Sequence, residues 1–214
     1  MAIFAHRGLV DAKNNIFENS LASLKNALDA GFIAIEFDIW FIDNQLIISH
    51  DEPKNNQLTL CEFLEYSLKN SHKPLFYWLD FKNVALNNAT QIALQTKNIL
   101  EKLKIPLDNC YFAPFITNYK LAEQIYLIWQ NILGNFMAVI EQESQFLECQ
   151  KFIINHKINH LSVNHQLLNN QFIMNSLQNT LPSLNLFAWT IKNLATYLDL
   201  QQKQIKNFAS DIIL

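Results

Sequence analysis

The sequence holds little that would interrupt a fold, staple it or anchor it. Glycine occurs only three times and proline five times in 214 residues, so few positions reach a left-handed backbone cheaply, and Gly8, Gly31 and Gly134 each call for a reason. The cysteines Cys61, Cys110 and Cys149 are odd in number and show neither a CxxC pair nor a zinc spacing. They form no disulfide framework, and all three are expected as small reduced core residues. No apolar run approaches the roughly 18 residues that cross a bilayer, because Lys, Asp, Asn or Gln interrupts each stretch. Charged residues make up only 16%, and the 16 Lys and Arg are scattered in a chain of net charge −3, which leaves no electrostatic footprint for nucleic acid. The opening MAIFAHRGLV enters a strand-like run at once, without the zones of a signal peptide, so a cytoplasmic location is expected.

What is present is a core. Half of the residues are apolar, which excludes disorder, and the length suits one domain over 1–214. Short apolar runs alternate with helical periodicity from end to end, the pattern of a parallel sheet built from βαβ units. The runs are Ile3 to Ala5, Ala34 to Phe41, Leu46 to Ser49, Leu75 to Phe81, Tyr111 to Phe115, Phe136 to Ile140, Leu161 to Val163, Leu186 to Thr190 and Phe208 to Leu214. Helices are expected at Ser20 to Ala30, with Gly31 as a left-handed cap, and after a capping box at Thr59 and Glu62, burying Leu60, Phe63, Leu64 and Leu68. Further helical stretches cover Asn88 to Leu103, Asn118 to Asn131, Glu143 to Asn155, Asn170 to Gln178 and Asn193 to Lys203. The second and third runs are separated only by Ile42 to Gln45, too short for a helix, so nine strand candidates exceed an eight-stranded barrel by one. The expected fold is a compact α/β (β/α)8 TIM barrel; a doubly wound open sheet is the alternative.

Charge appears where such strands should be apolar. In AIEFDIWF, Glu36 and Asp38 lie two residues apart and share a face. Two buried carboxylates repel and are costly without compensation, and a divalent cation is the economical compensation. A solvated edge strand is the alternative, disfavoured by Ile35, Phe37, Ile39, Trp40 and Phe41. LFYWLDFK repeats the anomaly with Asp80 and Lys82, although that pair could serve stability alone. Oxygen ligands of this kind suit Mg²⁺ or Ca²⁺ better than zinc. His6 and Arg7 follow the first run, and His50 follows the third. Two histidines beside a metal site supply the base and the acid of a metal-assisted phosphodiester cleavage. Arg7 offers a bidentate fork for phosphate, and Gly8 permits a positive φ. Elsewhere bland readings hold: His156 and His160 mimic a zinc pair only in spacing, His72 and His165 read as loop or surface residues, and Phe146, Phe152 and Trp129 fit helix faces.

Taken in order, AHRG, FENS, IEFD, IISHD and LDFK resemble the glycerophosphodiester phosphodiesterase family, densely from Ala5 to Pro53 and again as AWT at Ala188 to Thr190. The resemblance implies a PLC-like TIM barrel that hydrolyses a small glycerophosphodiester-like substrate with a divalent cation. It implies His6 and His50 as the acid/base pair and Glu36 and Asp38 as metal ligands, to which Asp80, at the end of its own strand, is expected to add a third carboxylate. Arg7, Lys82, Glu18 and Trp189 fall at the substrate. Three departures stand out: the family's D-R-T-T-N-G insertion after the H-D motif is missing, its E-x-K is Asp80-x-Lys82, and SDIIL stands where T-D-x-P is usual. The D-x-K form resembles the sphingomyelinase D and phospholipase C-like branch, which makes a cyclising lyase an alternative to a hydrolase. A catalytically silent phosphate- or metabolite-binding barrel is the alternative of a different class.

Overall fold

The structure, a computed structural model, describes residues 2–54 and 58–213. All nine expected strands form: β1 (Ala2–His6), β2 (Ala34–Ile42), β3 (Gln45–Ile48), β4 (Phe76–Phe81), β5 (Cys110–Pro114), β6 (Met137–Ile140), β7 (His160–Asn164), β8 (Asn185–Ile191) and β9 (Asn207–Ser210). The last is shorter than the expected run to Leu214, and Leu214 itself lies outside the described residues. The helices are α1 (Leu21–Asp29), α2 (Leu60–Asn70), α3 (Ala89–Lys102), α4 (Tyr119–Trp129), α5 (Phe146–His156), α6 (Gln171–Thr180) and α7 (Leu194–Gln202).

Parallel pairing in the order β5-β4-β2-β1-β9-β8-β7-β6 accounts for eight strands. A single parallel bridge, Phe112 to Phe136, brings the two ends together. This nearly closed (β/α)8 barrel excludes the doubly wound sheet. The surplus strand is β3, which lies off this path and pairs antiparallel with β2. Asp43 and Asn44 both take positive φ between them, at 49° and 61°, as a two-residue type I′ hairpin turn requires.

Local signals set the helix ends. Gly31, at φ +88°, follows α1, and its N–H and that of Phe32 donate to the carbonyls of Leu28 and Ala27. Thr59 and Glu62 cap α2 reciprocally. The inward row of α2 is Leu60, Phe63, Leu64 and Ser67, whose hydroxyl meets Tyr77 Oη at 2.7 Å. Leu68 therefore points outward, 40% exposed, against expectation. Cys110 and Cys149 are buried, but Cys61 lies on the outer side of α2, its sulfur within 3.4 Å of the Glu65 carboxylate and 3.5 Å of Lys102 Nζ.

Alternation along the strands sorts the core into two parts. Outward-facing residues pack under the helices, while Phe4, Ala34, Trp78, Ala113, Met137, Val139, Phe187 and Ala209 fill the barrel. Phe4, Trp78, Tyr111 and Phe187 interlock with ring centroids 4.7 to 6.0 Å apart. This plug closes the lower barrel, so inward residues one or two steps further along each strand open onto a cavity above it. Among the described residues no helix is long and apolar enough to cross a membrane.

Candidate active site

The inward parity that puts Phe4 in the plug puts His6 at the mouth, and on β2 and β4 it carries Glu36, Asp38 and Asp80 upward from Ala34 and Trp78. Register then joins them: His6 pairs with Glu36 across β1 and β2, and Asp38 with Asp80 across β2 and β4. They line a cavity of about 270 Å³, together with Arg7, His50, Lys82 and Trp189. Eight of the nine residues expected at a site thus meet in one cavity. Glu18, the ninth, lies at its edge, 2.8 Å from Arg7 Nη1.

Glu36 and Asp38 are 3% and 1% exposed, and with Asp80 they bring carboxylate oxygens within 4.8 Å of one another. Compensation comes from several sides. Lys82 Nζ lies 2.6 Å from Asp38 Oδ1 and 2.7 Å from Asp80 Oδ2. Arg7 Nε lies 3.0 Å from Asp38 Oδ2, and the Arg7 backbone N–H donates to Glu36 Oε2 at 2.9 Å. That backbone donor faces inward because the chain turns sharply above β1, with Arg7 at φ 54° and Gly8 at φ 78°. Asn19 clamps Asp38 from both ends, donating Nδ2–H to Oδ2 at 2.8 Å and accepting the Asp38 N–H at 3.1 Å.

The charges are tuned unequally. Burial, reinforced by Asp38, pushes Glu36 up to about 7. Asp38 sits below the ordinary carboxylate range: burial opposes ionisation, but the charges of Lys82 and Arg7 and the hydrogen bonds from Lys82 and Asn19 outweigh it. Asp80 is raised, chiefly by burial, and its Oδ1 is buried without a hydrogen-bond partner. Three oxygen-bearing side chains, one with an orphaned buried oxygen and one tending to protonate, are what a hard divalent cation would satisfy. The residues fit such an ion.

The two histidines reach the cavity by different routes. His6 ends a barrel strand; its Nδ1 lies 2.6 Å from Asp211 Oδ1 and its Nε2 3.9 Å from Glu36 Oε2 and 3.4 Å from Thr190 Oγ1. Burial would lower the His6 pKa, yet Glu36 and Asp211 hold it above the usual imidazole value. His50 follows β3, which runs downward rather than upward, so it does not end a barrel strand as His6 does. The projecting hairpin returns it to the level of Asp38, where Ser49 N–H donates to the Asp38 carbonyl and Trp40 Nε1–H to the His50 carbonyl. Its side chain is 38% exposed, and its Nδ1 lies 2.8 Å from Asp51 Oδ1. Part of the following passage, residues 55–57 of the shortened segment, lies outside the described residues.

The remaining histidines stay apart from this cavity. His156 ends α5 against Glu123, while His160 opens β7 inside the barrel between Tyr111 and Phe187, so they form no metal pair. His72 is exposed, but His165 is partly buried over β8, its Nδ1 3.0 Å from the Trp189 carbonyl. Sequence reasoning missed Asp211, Asn19, Glu141, Ser162 and Thr190. The signal for Asp211 was its parity with Asn207 and Ala209, and for Asn19 its place in FENS.

Neither a protein-family model nor a curated protein sequence matches this chain. Solved structures do. A glycerophosphodiester phosphodiesterase from Parabacteroides distasonis superposes with a TM-score of 0.74 at 14% identity, covering 98% of this chain and 92% of that one. An Oleispira antarctica phosphodiesterase in complex with the product sn-glycerol-3-phosphate gives 0.73 at 15%, with 99% and 93% covered. The glycerophosphodiester phosphodiesterase of Thermotoga maritima gives 0.71 at 18%, with 99% and 94% covered. The chain has the barrel fold of the glycerophosphodiester phosphodiesterases.

Proposed function

We propose that this protein is a divalent-metal-assisted phosphodiesterase that cleaves a small glycerophosphodiester-like substrate into an alcohol and a phosphomonoester. The observation that carries the reading is the single cavity lined by His6, His50, Arg7, Lys82 and the Glu36, Asp38 and Asp80 carboxylates. A binder has no chemical need for an acid and a base beside three clustered carboxylates, two of them buried. The structural neighbour from Oleispira, which holds sn-glycerol-3-phosphate as product, supports the substrate class.

Glu36, Asp38 and Asp80 would hold the cation, Mg²⁺ or Ca²⁺, which when bound neutralises charge on the phosphoryl oxygens. Arg7 and Lys82 place cationic groups at the same end of the cavity and orient the diester. Asp211 accepts the Nδ1–H of His6, so Nε2 is the atom left to exchange a proton inside the cavity. His50, anchored through Asp51 and the Trp40 contact to its carbonyl, supplies the second proton carrier from the hairpin side. One imidazole withdraws the nucleophile's proton, and the other protonates the departing oxygen. The three free thiols fit the reducing cytoplasm.

The test is release of p-nitrophenol from bis(p-nitrophenyl) phosphate with Mg²⁺, Ca²⁺ or EDTA, alongside calorimetric titration of Glu36→Ala and Asp38→Ala with each ion. Turnover that requires an ion, and ion binding lost in both variants, supports the assignment. Folded protein inactive with every ion would leave the silent binding barrel as the better reading.

A further inference from the structure

β2 outruns the barrel. Its pairing with β4 stops at Ile39 opposite Phe81, where Lys82 N–H donates to the Ile39 carbonyl at 2.9 Å. Trp40, Phe41 and Ile42 continue past that point and pair with β3 on their other side, so Phe41, which turns its backbone polar groups away from β3, has no strand left to meet. Asn83 supplies the partner from its side chain. Its Oδ1 accepts the Phe41 N–H at 2.8 Å, and its Nδ2–H donates to the Phe41 carbonyl at 2.9 Å. The amide acts as one more rung of β4. At the hairpin tip Gln91 and Gln95, one turn apart on α3, donate to Asn44 Oδ1 at 3.0 Å and to the Asn44 carbonyl at 3.1 Å.

The same hairpin carries His50. β3 ends two residues before it, and Trp40, the neighbour of Phe41, donates Nε1–H to the His50 carbonyl at 2.9 Å. The ring has little else to hold it: its side-chain partner among the described residues is Asp51, itself 92% exposed. His6, by contrast, ends a barrel strand against Asp211. We propose that Asn83, backed by Gln91 and Gln95, is a positioning residue for His50, latching the hairpin so that the imidazole stays level with the carboxylate cluster. The inference rests on the phosphodiesterase reading and adds what fixes its hairpin-borne proton carrier. A two-stranded hairpin is marginally stable by itself, so its attachment decides where His50 sits. Proton transfer tolerates little displacement, and a shift of about 1 Å can cost as much as 10²-fold in rate.

The experiment follows kcat and KM of Asn83→Ala and of the double variant Gln91→Ala/Gln95→Ala, in wild-type and His50→Ala backgrounds. The substrate is glycerophosphoethanol, or bis(p-nitrophenyl) phosphate if that alone turns over. Alongside, NMR measures hydrogen exchange at the Trp40 indole and the Ser49 amide, whose acceptors are the His50 and Asp38 carbonyls. Asn83→Ala should lower kcat about tenfold with KM within about twofold, and the glutamine variant should do the same to a smaller extent. In His50→Ala, adding Asn83→Ala should cost no more than about twofold, because its route of action is gone. Exchange should quicken about tenfold at Trp40 and Ser49 and stay unchanged at Phe37 inside the barrel. Should Asn83→Ala not fold, the glutamine variant carries the same comparison. A loss of kcat that persists in full without His50 assigns the effect to the adjacent Lys82 and overturns the inference, as does wild-type kcat or unchanged exchange. If neither diester turns over with any ion and exchange still quickens, the latch on the His50 hairpin stands and the phosphodiesterase reading falls. Absence of both turnover and a change in exchange removes the latch as well.

Discussion

Replacing Lys82 by Met removes the ammonium that bridges Asp38 at 2.6 Å and Asp80 at 2.7 Å while keeping most of the side-chain volume. At an effective dielectric constant near 20, each contact is worth about 6 kcal/mol before desolvation, and burying the ammonium takes back several kcal/mol. What remains after the change is carboxylate repulsion: oxygens of the cluster lie within 4.8 Å of one another, a repulsion of about 3 kcal/mol per ionised pair on the same scale. Breaking a buried pair from one side generally costs about 3 to 5 kcal/mol. In a domain of this size that corresponds to a fall in Tm of roughly 6 to 20 °C. The assay is thermal unfolding by circular dichroism in EDTA, repeated with millimolar Mg²⁺ or Ca²⁺. The variant should melt well below the wild type in EDTA and gain more from the ion, because the cation then replaces the missing ammonium and a ligand that binds only the folded state raises its stability. A variant that melts within about 2 °C of the wild type in EDTA and gains nothing extra from either ion would refute Lys82 as the compensating charge.

Other outcomes follow from named contacts. His6→Ala and His50→Ala should each lower kcat roughly 10² to 10⁴-fold, with the double variant losing less than the product; Asp211→Asn should cost less than His6→Ala because it disturbs only the orienting bond. Gly8→Ala should destabilise the fold by about 2 kcal/mol or more in denaturant titration, since the residue sits at φ +78° and a Cβ there would lie 2.7 Å from the Ser23 carbonyl carbon. Burial lowers the His160 pKa from 6.5 to about 4, so the unfolded chain takes up the proton first. The stability of the neutral ring is complete above pH 6.5, is lost as pH falls through the window down to about 4, and levels off below it. His160→Phe should thus spare up to about 2 kcal/mol of acid destabilisation near pH 5 in urea titrations at pH 7 and 5, and identical pH losses in the two proteins would count against it. Phosphorus NMR of a running reaction should show a five-membered cyclic phosphate if the substrate's own hydroxyl attacks, as neighbouring-group proximity favours; monoester alone from the first turnover would assign the attack to water.

The sequence by itself determined the alternation of strands and helices and the acidic end of the site, while closure into a barrel rather than an open sheet was decided by the strand order. Period-two and period-3.6 patterning places strands and helices, since both are local consequences of burying one face, and the Glu36, Asp38, Asp80 and Lys82 charges are visible because they interrupt runs that should be apolar. His6, Arg7 and Gly8 were legible for the same reason: they follow a strand directly. Only the tertiary structure decided how the site is completed. Asp211 lies at the far end of the chain from His6, and their 2.6 Å contact exists because the barrel closes β9 against β1, a pairing that no local pattern encodes. His50 looked like a strand-end residue, yet β3 runs antiparallel, and the hairpin with the Trp40 bond to its carbonyl delivers it to the cavity. Glu141 was hidden for a different reason: a charged residue just past a short strand reads as a solvated loop, and its inward direction appears only once the parity of Met137 and Val139 is known to face the barrel. Leu68 and Cys61 show the limit from the other side, because helical periodicity defines an apolar face without saying where the barrel wall lies, and packing chose Ser67 over both.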